Sequence, residues 1–321
     1  MFIRRFLTLA AGLAALLGPI SWASAEEVTL KAGSFLPLTV NFGEPFKRFV
    51  DHVNAEGKGS VQIRVVGGPE AVPPFQLGNA VKTGVLDMAA VPTSYYKGMM
   101  VEADAAILTS KSFVEQRKSG AWALLNQIHN AKVNAWYLAA YGDGVKFHIY
   151  LNKVISKVGD LKGLKLRTAP NYQAFFTALG ATTVVTPPGE VYTALERGVI
   201  DGYGWPLWGI QDQGWDKYTK MRIDPGFYNV TVNILVNLDK WKSLTDAQRA
   251  FMSKMADWLE QEFPKHAAAR NSQEAEYQKK AGIKVVDFGP DFEKQANDVY
   301  WEQLAKASPD NIAKLKKMLA E

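Results

Sequence analysis

Two stretches of this 321-residue chain alternate between strand and helix patterning in the same order, and that alternation restricts the fold more than any other feature. Val28-Thr29-Leu30-Lys31-Ala32-Gly33 alternates as a half-buried strand does. Phe42, Phe46, Phe49, Val50 and Val53 then repeat at the three- and four-residue spacing of a helix face. Ser60 to Val66 is a second strand running into Gly67-Gly68-Pro69, Phe75 to Thr83 is helical, and Leu86 to Val91 is an apolar run of buried-strand type. Strand, helix, strand, helix, strand is the order of a doubly wound α/β lobe, whose ligands bind beyond the carboxyl ends of the strands. Those ends are Ser34-Phe35, Pro73 to Phe75, and Thr93 to Tyr96.

The order then recurs. Asn134 to Ala140 and Val145 to Leu151 are strands on either side of Tyr141-Gly142-Asp143-Gly144, and Leu161 to Arg167 is a turn into a short strand. Tyr172 to Leu179 and Pro188 to Arg197 are helices closed by Gly180 and Gly198, with strands at Thr183 to Val185 and Val199 to Gly204. We divide the chain into a first lobe, 26–149, completed by part of 237–280, and a second lobe, 150–236, completed by 281–321. The longest helical pattern, 243–280, opens with a capping box, Thr245 and Gln248, and carries Phe251, Met255, Trp258, Leu259 and Phe263 as a stripe. At ~1.5 Å per residue it reaches ~50 Å, longer than one small lobe, so it spans both lobes with a kink at Pro264.

Composition removes several chemistries. With no cysteine there is no disulfide framework, thiolate metal site or cysteine nucleophile. The four histidines, at 52, 129, 148 and 266, are too scattered for metal-ligand spacing. Gly-x-Ser-x-Gly, His-Glu-x-x-His and Walker A motifs are absent, and Gly142-Asp143-Gly144 and Gly202-Tyr203-Gly204 lack the third glycine of a dinucleotide fingerprint. Asn229-Val230-Thr231 matches a glycosylation acceptor but falls inside an expected strand and carries no weight. No catalytic residue, metal site or cofactor is therefore assigned.

Arg4 and Arg5, the apolar run Phe6 to Ile20, and Ala23-Ser24-Ala25 have the form of a secretory leader, residues 1–25, cleaved after Ala25. A membrane anchor is the plainer alternative, but the run is shorter than the ~20 residues a spanning helix needs. Its removal lowers the formal charge from +5 to +3, with basic residues spread along the chain, which speaks against a nucleic-acid partner.

Leu161-Lys162-Gly163-Leu164-Lys165-Leu166-Arg167-Thr168, Gly180-Ala181-Thr182 and the stretch from Gly189-Glu190-Val191-Tyr192 through Glu196-Arg197-Gly198-Val199-Ile200-Asp201-Gly202 resemble the core of the solute-binding proteins of TRAP transporters, the DctP family. The leader, the two lobes, Leu86-Asp87-Met88-Ala89 and the long helix fit the same family. The resemblance implies a two-lobed periplasmic binding protein of the Venus-flytrap type, acting as a monomer. It would take an organic acid between its lobes and deliver it to membrane permease subunits driven by an ion gradient, without enzymatic activity. A receptor presenting its ligand to a sensor kinase, or a periplasmic enzyme on the same scaffold, are the alternatives.

In that family the arginine ending the Leu-Lys-Gly-Leu-Lys-Leu-Arg strand, here Arg167, pairs with the ligand carboxylate. A planar, permanently charged guanidinium suits that role. Where members commonly carry an asparagine before proline, this chain has Trp205, and where some carry a second cation it has Phe147. Phe35, Pro73 and Pro92 stand at other polar contact positions. Apolar substitutes at these places suit an aromatic or branched monocarboxylate, because buried sugar hydroxyls would go unpaired there. Ligand contacts are therefore expected at Arg167, Trp205, Phe147, Tyr95, Phe35, Tyr141, Trp208, Phe75, Asn171 and Tyr172. Lobe core is the competing assignment for each aromatic.

Overall fold

The computed structural model describes residues 26–320, so the leader expected over 1–25 lies outside the described residues. Eleven strands are described: β1 Val28–Ser34, β2 Val61–Gly67, β3 Met88–Pro92, β4 Ala135–Tyr141, β5 Phe147–Leu151, β6 Lys165–Thr168, β7 Thr182–Val185, β8 Gly202–Pro206, β9 Met221–Asp224, β10 Val232–Asn237 and β11 Lys284–Asp287. The helices are α1 Glu44–Glu56, α2 Leu77–Lys82, α3 Phe113–Lys118, α4 Ala121–Val133, α5 Gln173–Ala178, α6 Val191–Glu196, α7 Leu238–Ser243, α8 Asp246–Lys280, α9 Pro290–Ala307 and α10 Pro309–Ala320.

The strands form two mixed sheets, ordered β2-β1-β3-β10-β4 and β11-β9-β5-β8-β6-β7. In the first, β1 runs parallel to β2 and β3, and β10 runs antiparallel to β3 and β4. In the second, β6 is parallel to β7 and β8, while β5 is antiparallel to β8 and β9. The alternation read in β1 is the burial pattern: Leu30 and Ala32 are fully enclosed while Thr29 and Lys31 face out. On α1, Phe46, Phe49, Val50 and Val53 form the buried face; Phe42 precedes the helix, which starts after Gly43.

Three lobe boundaries differ from the sequence division. β10, assigned with 150–236 to the second lobe, lies inside the first sheet, where all six of its residues are buried. A strand buried along its whole length demands cover on both faces, and its sequence alone does not say in which sheet the cover is found. β5 belongs wholly to the second sheet, so the first lobe ends before 149. The C-terminal stretch is shared: α9 packs on α5, but α10 returns to α4 and the Val101–Ile107 turns of the first lobe.

The chain therefore crosses between the sheets at 142–146 and again at 225–231, with Val230 N–H donating to Val145 O at 2.8 Å. Gly142, at φ +120°, admits this approach: a Cβ there would sit 2.6 Å from Val230 O. The third connection is α8. Its capping box is formed, Gln248 N–H donating to the Thr245 hydroxyl at 3.2 Å and Thr245 N–H to Gln248 Oε1 at 2.9 Å. The helix runs through Pro264 as one element. Its first half holds the first sheet, where Ala140 N–H donates to Glu260. Its second half holds the other lobe, Gln278 donating to Leu207 O and accepting from Arg222. Among the described residues no helix is long and apolar enough to cross a membrane.

Candidate ligand-binding site

A small cavity of about 40 Å³ lies between the lobes, walled where β1, β3, β6 and β8 end. Both lobes and the second crossing contribute: Phe35, Phe42, Tyr95 and Val232 from the first, Phe147, Asn171, Tyr172 and Trp205 from the other, and Val230 and Thr231 from the crossing. The lining is largely aromatic and aliphatic with a few polar groups, the usual makeup of a small-molecule site. The lobes touch beside it. Asn41 donates from its side chain to Trp208 O and from its backbone to Asp212, each at 3.1 Å, and Lys97 Nζ donates to Pro170 O at 3.3 Å.

Six of the ten residues selected from the sequence line the cavity: Phe35, Tyr95, Phe147, Asn171, Tyr172 and Trp205. The other four stand one layer behind. Phe75 meets Tyr95 edge-on, with centroids 4.6 Å apart. Trp208 stacks on Phe42 at 5.2 Å and donates its indole N–H to Asn271, while the Tyr141 hydroxyl donates to Phe42 O at 2.7 Å. These three fix the orientation of wall residues and do not form the wall.

Arg167 also lies behind the wall, 0% exposed. Its Nε and Nη2 both donate to Thr186 O, at 3.0 and 2.7 Å, and Nη1 donates to the Tyr172 hydroxyl at 2.8 Å and Gly204 O at 3.1 Å. Four of its five N–H groups are thus committed to neutral acceptors. Among the described residues it forms no salt bridge. The guanidinium sits 5.6 Å from the Trp205 ring centroid, a cation–π contact, and faces Tyr95 across the lobes. Burial raises the Tyr95 and Tyr172 hydroxyls, Tyr172 to about 12, although the Arg167 charge opposes the shift in both. Both therefore remain hydrogen-bond donors at neutral pH.

Local sequence explains the placement. β6 pairs Arg167 with Tyr203 of β8 and Val184 of β7, and the turn after Thr168 brings Tyr172 back over β8. Gly204 makes this possible, since a Cβ there would lie 2.4 Å from the Tyr172 ring. Phe42, Ile107, Val230, Thr231 and Val232 were not selected from the sequence. Phe42 fell inside the expected helix face and the crossing inside an expected strand, so their apolar character read as core. Among the described residues, no group of three His, Asp or Glu side chains is arranged to hold a metal ion.

The family model described as bacterial extracellular solute-binding protein, family 7, DctP, matches residues 33–309. The monocarboxylate 2-oxoacid-binding periplasmic protein all3028 of Nostoc is 30% identical over 197 residues, 58% of this chain and 53% of that protein, so the chain spans about half the length of this curated relative. A TRAP transporter solute-binding protein of Bordetella bronchiseptica with copurified calcium and picolinate superposes with a TM-score of 0.82 at 23% identity, covering 92% of each chain. DctP7 of Bordetella pertussis, an extracytoplasmic solute receptor binding pyroglutamic acid, gives 0.81 at 18% identity, covering 92% of this chain and 100% of that one. These two likenesses establish the fold, and the match across most of the chain establishes that it belongs to the DctP family of bacterial extracellular solute-binding proteins.

Proposed function

We propose that this receptor captures a small monocarboxylate with an aromatic or otherwise apolar body and delivers it to membrane permease subunits. The observation that carries this reading is Arg167: a permanently charged group, fully enclosed, without a protein carboxylate, directly behind a wall of aromatic rings. An enclosed cation facing only neutral dipoles is held at a cost, and an anion beside it relieves that cost. In a low-dielectric setting the attraction is several times what water would allow.

The ligand carboxylate lies toward the Tyr95 hydroxyl and the remaining Nη2 N–H of Arg167, while Tyr172, its own O–H given to Gly204 O, holds the guanidinium in place. The body of the acid packs against Phe35, Phe147 and Trp205. A polyhydroxylated acid finds too few hydrogen-bonding partners there. The small acids bound by the relatives, a 2-oxoacid, picolinate and pyroglutamic acid, fit this size class.

The test is mass spectrometry of small molecules released from denatured protein, followed by calorimetry with organic acids. Apolar monocarboxylates are expected to bind. A hydrophilic dicarboxylate as the tightest ligand would overturn the reading.

A further inference from the structure

Some polar groups of the cavity wall are held by protein partners and others are not. Tyr172 donates its hydroxyl to Gly204 O at 2.8 Å, the Trp205 indole N–H goes to Trp208 O at 3.0 Å, and the Thr93 hydroxyl is engaged with Asp104. These have protein partners. Two do not: Thr231 Oγ1 and Asn171 Oδ1 are buried and unpartnered, on side chains only 3% exposed. They stand on different walls, Asn171 on the loop after β6 and Thr231 at the crossing into β10, between Val230 and Val232.

Buried polar atoms are nearly always paired, so two orphans lining one cavity point to a partner supplied by its contents. We infer that the ligand carries, besides its carboxylate, a second polar group read by Thr231 and Asn171. This inference rests on the carboxylate reading above and narrows it. The chemistry is a hydroxyl or an amide-type N–H or C=O. A threonine hydroxyl both donates and accepts, and an asparagine amide presents either its oxygen or its NH₂ to the same point. Val230 and Val232 flank Thr231 and most of the remaining wall is aromatic or aliphatic, so one such group is satisfied better than several. The ligand class becomes a monocarboxylate with a compact apolar ring and one polar ring substituent.

Calorimetry tests this with matched pairs: benzoate against its 2-, 3- and 4-hydroxy isomers, and cyclopentanecarboxylate against pyroglutamate. In the unmodified protein the best polar member of at least one pair is expected to bind about tenfold or more tighter than its plain counterpart. Thr231→Val keeps the shape and breaks no protein hydrogen bond, so it should fold, and it should shrink that ratio several-fold. Thr231→Ser, which restores a hydroxyl, should recover the ratio, and Asn171→Leu should shrink it as Thr231→Val does. Equal affinities within every pair, or an undiminished ratio in both Thr231→Val and Asn171→Leu, would overturn the inference while leaving the carboxylate reading standing. No binding by any acid of either set overturns both.

Discussion

Arg117 and Arg167 are both built into the interior, and they differ in what faces them. Arg117, on α3 in the first lobe, meets Glu260 of α8 in a two-pronged pair, Nε to Oε2 at 2.5 Å and Nη2 to Oε1 at 2.9 Å. The same carboxylate accepts Ala140 N–H of β4. Arg222 in the second lobe is held likewise by Asp224, at 2.8 and 2.9 Å. Arg167, more deeply enclosed than either, has only Thr186 O, Gly204 O and the Tyr172 hydroxyl. Where this protein uses a guanidinium to hold elements together it supplies the counter-charge itself; at the cavity it does not. The contrast separates an arginine whose work is complete within the fold from one whose charge remains available.

The largest expected effects come from exchanging each arginine for methionine. Arg117→Met strands the Glu260 carboxylate, 1% exposed, without its cation, and should cost about 3–5 kcal/mol of stability. In the fraction that folds, ligand affinity should be near normal. Arg167→Met removes an uncompensated charge, so stability should move by less than about 2 kcal/mol while affinity for the acid falls about 100-fold or more. Urea denaturation and calorimetry on both variants give the two-by-two outcome. If both lose stability and affinity in the same proportion, the contrast between the two sites does not exist.

Asp143 sharpens the comparison from the anionic side, because it too is enclosed without a countercharge. It occupies the first crossing between Gly142 and Gly144, and its Oδ1 has no partner. Burial first, and then the like charges of Glu260 and Glu115, raise its carboxyl to about 7, against hydrogen bonds from the Phe113 amide and its own. An aspartate escapes an unfavourable site by taking up a proton; an arginine cannot.

With the folded value above the unfolded one of about 3.8, the folded state binds the extra proton between those limits. Stability from this group is present below pH ~4 and lost as pH rises through ~7. His129 works in the opposite sense. Enclosed, with Nδ1 2.7 Å from Leu125 O and Nε2 2.8 Å from the Tyr96 hydroxyl, it is lowered to about 4 by burial, so its contribution is lost as pH falls from ~6.5 toward 4. The two slopes offset one another between pH 4 and 6.5. Asp143→Asn should therefore gain about 2–4 kcal/mol at pH 8, little at pH 4, and show a steeper loss of stability on acidification than the parent. Parallel pH profiles for the two proteins would mean that Asp143 is not held neutral by the fold.

How much of this was legible depends on what kind of information each residue type carries. The strand and helix order, the Thr245 capping box and the position of Arg167 on a strand end follow from periodicity and motif, and all three are present. Sheet membership is another matter. Val232–Asn237 reads as a buried strand in either lobe, and only tertiary pairing with Pro92 and Tyr141 decides it. Aromatic identity predicts enclosure without saying in which layer, so Phe35 and Phe75 looked alike, although one forms the cavity and the other supports Tyr95. Thr231 was passed over because a threonine between two valines fits an ordinary strand; that its hydroxyl has no partner is a fact of packing. The absence of a carboxylate near Arg167 is likewise invisible in a chain with 32 acidic residues.

The smallest expected effect concerns how Arg167 is positioned. Tyr172 lies against β8 at Gly204, where an added Cβ would come within 2.4 Å of its ring and 2.9 Å of Phe176. Gly204→Ala therefore pushes the ring away from the strand and lengthens both the Tyr172 hydroxyl bond to Gly204 O and the Arg167 bond to Tyr172, each 2.8 Å in the parent. Overpacking of this kind costs about 1–3 kcal/mol of stability. Affinity for the acid should fall about tenfold, less than for Arg167→Met, because the charge stays and only its alignment changes. Gly189→Ala is the control, since no atom lies within 4 Å of a Cβ there. Tyr172→Phe tests the same link without crowding: it removes the hydroxyl that holds the guanidinium and should reproduce the affinity loss of Gly204→Ala with a smaller loss of stability. Parent-like affinity in both variants would show that Arg167 acts on the ligand without Tyr172, and the contrast with Arg117 would then rest on the missing carboxylate alone.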